Sequence, residues 1–254
     1  MRNLNIDDIH SELLKMANVF HGICEKYGIK YYMLGGTMLG AVRHKGFIPW
    51  DDDMDFGILR EELNKFVSVC KSELKGDYYL VEPADNPFSD KEIFKMVNKN
   101  IKIKEFGKNS DSFLFLDIFP LDYSKNGRTD FFSSNYWIMR FLHWENLRFL
   151  KPKSLKQKCT KMIFSHFPSS LFLKIRKRIT ASEGNYISNF NGAWGLKETL
   201  PKEYFENSVL YSFENSCFWG VEKYDNYLKH LYGDYMTLPD NKDRHLHIEY
   251  CVEQ

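Results

Sequence analysis

From Trp50 to Leu59 the chain reads WDDDMDFGIL, four aspartates in five positions with large apolar residues woven among them. In an extended segment successive side chains point to opposite faces, so Asp51, Asp53 and Asp55 share one face while Asp52 turns away. Two carboxylates about 4 Å apart repel by roughly 4 kcal/mol at an effective dielectric near 20. A folded chain keeps such a face only with a compensating cation, and hard carboxylate oxygens suit Mg²⁺, Mn²⁺ or Ca²⁺. The bland reading is a solvated acidic loop. Trp50, Met54, Phe56 and Ile58 weigh against it, because they make the segment half buried.

Asp51, Asp53, Asp55, Ile58 and Glu62 fall at positions 1, 3, 5, 8 and 12 of a calcium-binding EF-hand loop. Position 6 of that loop needs glycine for its sharp turn and here holds Phe56, while Gly46 and Pro49 stand where a helix should enter. A glycosyltransferase D-x-D motif, gripping a nucleotide diphosphate through a metal, is the stronger rival. It leaves Gly35-Gly36 upstream without a purpose. A strand ending in Gly35-Gly36-Thr37 lets backbone N–H groups approach phosphate oxygens without Cβ interference, and a following helix aims its N-terminus at the same anion. Together with the acidic strand this makes a metal-assisted phosphoryl-transfer site, which needs one more carboxylate to collect the acceptor's proton. FLFLDIFPLD supplies Asp117 in a strand apolar on both faces, where an unpaired charge would cost several kcal/mol. A buried carboxylate with a purely structural role is the alternative for Asp117.

Apolar residues at Ile6, Ile9, Leu13, Leu14, Met16, Ala17 and Phe20 keep a helical period that ends at Gly28. A strand in KYYML, a long connection, a strand over 54–59 and a helix over 61–74 follow. Short strands are expected at 78–81, 93–97, 101–106 and 113–119. The rest reads as mostly helical: 131–149, then 155–180 with a break at Pro168, and VEKYDNYLKHLYG near the end. The expected class is therefore α+β, a mixed β-sheet core flanked by helices with an added helical basic lobe. The divisions are a catalytic core over 1–125, the basic lobe over 126–190, and a segment over 191–254 that packs back on the core.

The net charge of +1 says nothing about partners, but its distribution does. Arg148, Lys151, Lys153, Lys156, Lys158, Lys161, Lys174, Arg176, Lys177 and Arg178 lie in a stretch with no acid, so these residues carry +10 and the remainder −9. With Met162, Ile163, Phe164, Phe167, Leu171, Phe172 and Leu173 on its apolar side, this stretch reads either as a surface for anionic lipid or as an ordinary helical pair. Five widely spaced cysteines, without a C-x-x-C pair, argue against a disulfide framework or a zinc site and suit a reducing cytoplasm. The polar N-terminus reads as neither signal peptide nor anchor.

Gly35-Gly36-Thr37, HKGFIPWDDDMD, FKM around Lys95, DIFPLD and YLKHLYGDYMTLP resemble, in this order, the motifs of the LicD family of phosphocholine-type transferases, which includes the fukutin-related proteins. The resemblance covers about Tyr32 to Pro239. It implies a nucleotidyltransferase-like core in which Gly35 and Gly36 form the phosphate-side turn, Asp53 and Asp55 hold metal assisted by Asp51, and Asp117 is the third carboxylate. It further implies Mg²⁺ or Mn²⁺ as cofactor, CDP-choline or a similar CDP-alcohol as donor, and a glycan or lipid-linked glycan precursor of lipopolysaccharide or teichoic acid as acceptor. Nucleic acid is not an expected partner, and the expected place is the cytoplasm, peripheral to the inner face of the membrane. One departure from the family pattern is Val221 to Lys223, where a proline-containing approach to the helix is expected.

Thr37 belongs to the phosphate-side turn, and Arg43, His44 and Lys45 lie between that turn and the acids, where a diphosphate needs positive charge; solvated loop charge is the alternative for all three. Lys95, among apolar neighbours in its strand, reads as a phosphate contact or as an exposed face. Trp50 reads as packing that braces the acidic strand. His245 and His247 are further candidates for metal or phosphate. A choline group has no N–H donor and needs aromatic faces, for which Trp137, Trp144, Trp194 and Trp219 are among many candidates.

Overall fold

The computed structural model describes residues 2–83, 93–107, 111–125, 127, 132–137, 140–141, 154–168, 171, 183–244 and 246–253. Helix α1 (Ile6–Tyr27) opens on a capping box between Asn5 and Asp8 and closes on Gly28 in the left-handed region. It buries Ile9, Leu13, Met16, Ala17, Phe20, Ile23 and Cys24, one stripe at helical spacing. Strand β2 (Tyr31–Met33) is fully buried and runs directly into helix α2 (Gly35–Arg43). The first part of the long connection expected after Gly36 is thus helical, as far as Arg43. Strand β3 (Asp55–Leu59) and helix α3 (Arg60–Glu73) lie within a residue of their expected bounds, and β4 (Tyr78–Val81) matches.

The two strands expected over 93–97 and 101–106 are one strand, β5 (Phe94–Glu105). Its register against β6 (Ser112–Ser124) shifts between Asn98 and Lys102, where the Asn98 side chain accepts from the Asn100 backbone. This local asparagine turn broke the sequence pattern without ending the strand.

The expectation of a mostly helical remainder is corrected. Strands β7 (Tyr186–Ser188), β8 (Thr199–Pro201), β9 (Ser208–Phe213), β10 (Ser216–Val221) and β11 (Ile248–Glu253) occupy the C-terminal part. Strands β7 and β8 have three residues each and the other three have six, and β9 and β10 form a hairpin around Glu214-Asn215, with Glu214 at φ 52. Helix α4 (Leu155–Phe164) ends four residues before Pro168, and α5 (Tyr224–Tyr232) is the late helix. The expected helix over 131–149, the stretch beyond 171, and Arg148, Lys151, Lys153, Lys174, Arg176, Lys177 and Arg178 lie wholly or mostly outside the described residues, as do Trp144 and His245.

Among the described residues the main sheet has nine strands, with the path β1 (Arg2–Asn3), β11, β5, β6, β3, β2; β4 extends from β5, and β7 and β8 from β6. Only the β3–β6 pairing in it is parallel. The fold is therefore a mixed sheet with helices packed on it. The parallel pair places Asp55 beside Asp117, and the antiparallel pair places Lys95 on the other side of Asp117. No described helix is long and apolar enough to cross a membrane.

Candidate active site

Strand alternation separates the aspartates into two jobs. Asp52 is buried, and its carboxylate accepts backbone N–H bonds from His247 (2.9 and 3.1 Å) and Ile248 (2.8 Å), pinning the start of β11. Asp51, Asp53 and Asp55 are half-buried and interact electrostatically with one another, Asp53 and Asp55 also with Asp117. Several short contacts fix this face. The Asp55 N–H donates to Thr37 Oγ1 at 2.8 Å, the Leu34 N–H donates to the Asp55 carbonyl at 3.0 Å, and His10 Nε2–H donates to the Asp51 carbonyl at 2.6 Å.

Both glycines of the turn are required by space or conformation. Gly35 has φ +47, and a Cβ there would meet the Tyr232 hydroxyl at 3.6 Å and Asp55 Oδ2 at 3.7 Å. At Gly36 a Cβ would stand 2.6 Å from Asp51 Oδ2. The first turn of α2 therefore lies directly against the carboxylates. The Gly35 N–H donates to the Tyr227 hydroxyl at 2.9 Å, so the amides that this turn presents beyond it belong to Gly36 and Thr37.

Burial, with the neighbouring carboxylates, pushes Asp51 up to about 8 and Asp55 well above the usual carboxylate range. Asp53 rises less, to about 6, because His247 opposes its burial. His247 Nδ1 lies 3.2 Å from both Asp52 Oδ1 and Asp53 Oδ2, and its hydrogen bond to Asp52 raises the imidazole to about 9. Asp117 Oδ1 is buried without a hydrogen-bond partner; Lys95 Nζ stands 2.8 Å away as an ionic neighbour.

The donor set therefore fits a divalent cation: crowded oxygen ligands and raised proton affinities both ask for positive charge. Asp51, Asp52 and His247 each offer a ligand atom within 4.8 Å of the others, although Asp52 already accepts from the backbone of β11 and the raised His247 holds its proton. Around the acids is a cleft of about 170 Å³ whose walls include Gly35, Gly36, Asp53, Asp55, Trp194 and Glu198. Glu198 accepts from Asn189 Nδ2 at 2.7 Å and from the Trp194 N–H at 2.9 Å, which fixes the loop bearing Trp194. The Trp194 ring meets Tyr232 edge-on at 5.0 Å. Burial and the nearby Asp55 and Asp51 push the Tyr232 phenol far up, so it stays a hydrogen-bond donor.

The family model described as LicD/FKTN/FKRP, nucleotidyltransferase domain, matches residues 28–169. The lipopolysaccharide cholinephosphotransferase LicD of Haemophilus influenzae is 32% identical over 97% of both chains. The chain belongs to the LicD family. Two shorter matches are to proteins named ribitol 5-phosphate transferase FKRP: the mouse protein, 30% identical over 29% of this chain and 18% of its own, and the human protein, 43% identical over 20% and 10%.

The family-model match holds the glycine turn and the four clustered aspartates but stops before Trp194, Glu198, Tyr227, Tyr232 and His247, which complete the surroundings of the acids. Of the residues expected at the site, Gly35, Gly36, Thr37, Asp51, Asp53, Asp55, Lys95 and Asp117 come together. Arg43 and His44 face elsewhere: Arg43 donates to the Tyr235 carbonyl at 2.7 Å and to His44 Nε2 at 2.9 Å, and His44 meets Trp50 edge-on. Lys45 is exposed, and its carbonyl accepts from the Glu214 N–H. Trp50 packs beneath Arg244, 4.1 Å from the ring centroid. Asn189 and Glu198 were not singled out by the sequence; Trp194 stood among the many aromatic candidates, and Tyr227 and Tyr232 lie in the YLKHLYGDYMTLP motif without an assigned role.

Proposed function

We propose that the chain is a Mg²⁺-dependent phosphotransferase that moves phosphocholine, or a related phospho-alcohol group, from a CDP-activated donor to a hydroxyl of a cell-surface glycan precursor. The observation that carries this reading is the meeting of Asp55 and Asp117 on paired strands, and of Asp53 just before β3, with the N-terminus of α2 at Gly35-Gly36. The relatives named cholinephosphotransferase and ribitol 5-phosphate transferase support the reaction class.

Asp53 and Asp55 would hold the metal, with Asp51 assisting and Asp117 beside them. Bound there, Mg²⁺ supplies positive charge to the diphosphate and to the leaving CMP. The amides of Gly36 and Thr37, reinforced by the helix dipole, bind a donor phosphate. The Tyr232 phenol donates to a second phosphate oxygen. Asp117, oriented by Lys95, takes the proton from the acceptor hydroxyl. That oxygen attacks the β-phosphorus in line; its bond to phosphorus forms as the bridging P–O bond breaks, and the electron pair leaves with CMP. The Asp117 proton then passes to solvent.

Helix α4 suggests where the acceptor is met. Leu155, Met162 and Ile163 are 78%, 64% and 55% exposed, and Lys156, Lys158 and Lys161 stand among them without an acid. An anionic cytoplasmic membrane face carrying lipid-linked glycan suits such a helix. Incubation with a panel of CDP-alcohols and nucleoside triphosphates tests the reaction. CMP release from a CDP-alcohol is expected; pyrophosphate release from a triphosphate alone would instead make the chain a nucleotidyltransferase.

A further inference from the structure

A second cleft, about 160 Å³, is lined by Asp53, Glu105, Phe115, Asp117 and His247 among others. We propose that it is the acceptor subsite and takes one neutral pyranose ring, an assignment that rests on the phosphotransfer reading above. The cleft shares Asp53 and Asp117 with the one that holds Gly35 and Gly36. Along β6, Phe115, Asp117 and Phe119 point to one face of the sheet; Phe115 lines the second cleft and Phe119 the first. At about 3.3 Å per residue the two aromatic positions are about 13 Å apart, with Asp117 midway.

In-line displacement needs the attacking and leaving oxygens on opposite sides of phosphorus. Clefts set end to end across the general base meet that demand. The helix N-terminus fixes the anionic donor in the first cleft, so the nucleophile enters through the second.

The chemistry of the second cleft agrees. The carboxylates of Glu105 and Asp117 accept from hydroxyls and the His247 imidazole donates to them, while the Lys95 ammonium stands 2.8 Å from Asp117 Oδ1. Phe115 offers ring surface, although the Lys95 ammonium covers part of it, 3.0 Å from the centroid.

Saturation-transfer NMR with methyl glucopyranoside and methyl galactopyranoside, beside calorimetry with CMP and Mg²⁺, provides the test on the full chain. One of the glycosides should bind the wild type, and Glu105→Gln or Phe115→Leu should weaken it at least about tenfold while CMP affinity stays within twofold. Trp194→Ala should do the reverse. No binding of either glycoside, or binding that survives both Glu105→Gln and Phe115→Leu, overturns the assignment. Glycoside binding that obeys it in a protein that cleaves no CDP-alcohol would instead leave the subsite standing and remove the proposed reaction.

Discussion

Neutralising Asp53 should stabilise the metal-free protein while destroying its function. Burial and the other acids hold the Asp53 carboxyl near 6, against an ordinary value of 3.8. One pKa unit corresponds to about 1.4 kcal/mol, so keeping this group charged in the folded state costs about 3 kcal/mol before screening. The side chain is 30% exposed, and solvent screening brings the figure to about 1.5 kcal/mol. For a domain of this size, each kcal/mol moves the melting temperature by about 2–4 °C, so Asp53→Asn should melt about 3–6 °C higher in EDTA at pH 8. The cost is absent below the unfolded value, grows as pH rises through the folded value near 6, and is complete above it. The gap between variant and wild type should therefore close on acidification toward pH 4. Added Mg²⁺ should raise the wild-type melting temperature and leave the variant unchanged. Differential scanning calorimetry across pH, with and without Mg²⁺, reads all of this. A variant that melts at or below the wild type at pH 8, or keeps the full Mg²⁺ response, would refute the reasoning.

Asp117→Asn should leave CDP-donor affinity within a few-fold and abolish transfer, as rapid-quench kinetics would detect. Gly36→Ala puts a methyl 2.6 Å from Asp51 Oδ2 and should lower turnover and Mg²⁺ affinity at least about tenfold with little loss of fold, measured by Mg²⁺ titration of activity and by circular dichroism. Replacing Lys156, Lys158 and Lys161 with Gln should weaken partition onto anionic vesicles by about 3 kcal/mol at low salt and by little at high salt, measured by co-sedimentation. Equal sedimentation of the two proteins at low salt would remove the membrane role of α4.

The catalytic strands were legible because their signals are local. Alternation within WDDDMDFGIL separated Asp52, which anchors β11, from Asp51, Asp53 and Asp55, and the apolar run around Asp117 marked a buried strand. Arg43, His44 and Lys45 show the limit of proximity in sequence: α2 turns Arg43 toward the Tyr235 carbonyl, away from the acids. Strands β7 and β8 were missed because three residues carry no period, and β7 and β11 pair with strands far off in the chain, as with Tyr186–Ser188 against Asp122–Ser124. Glu198 and Tyr232 reach Asp55 only through that tertiary folding, and no spacing within their own segments announces it.

The most direct test of the central claim is which phosphorus moves. Wild-type protein with Mg²⁺, CDP-choline and a methyl glycoside should, by ³¹P NMR, convert the two diphosphate resonances into CMP and a new phosphodiester carrying the β-phosphorus, and Asp55→Asn should leave them untouched. A phosphodiester carrying the α-phosphorus, or equal conversion by Asp55→Asn, would contradict the account.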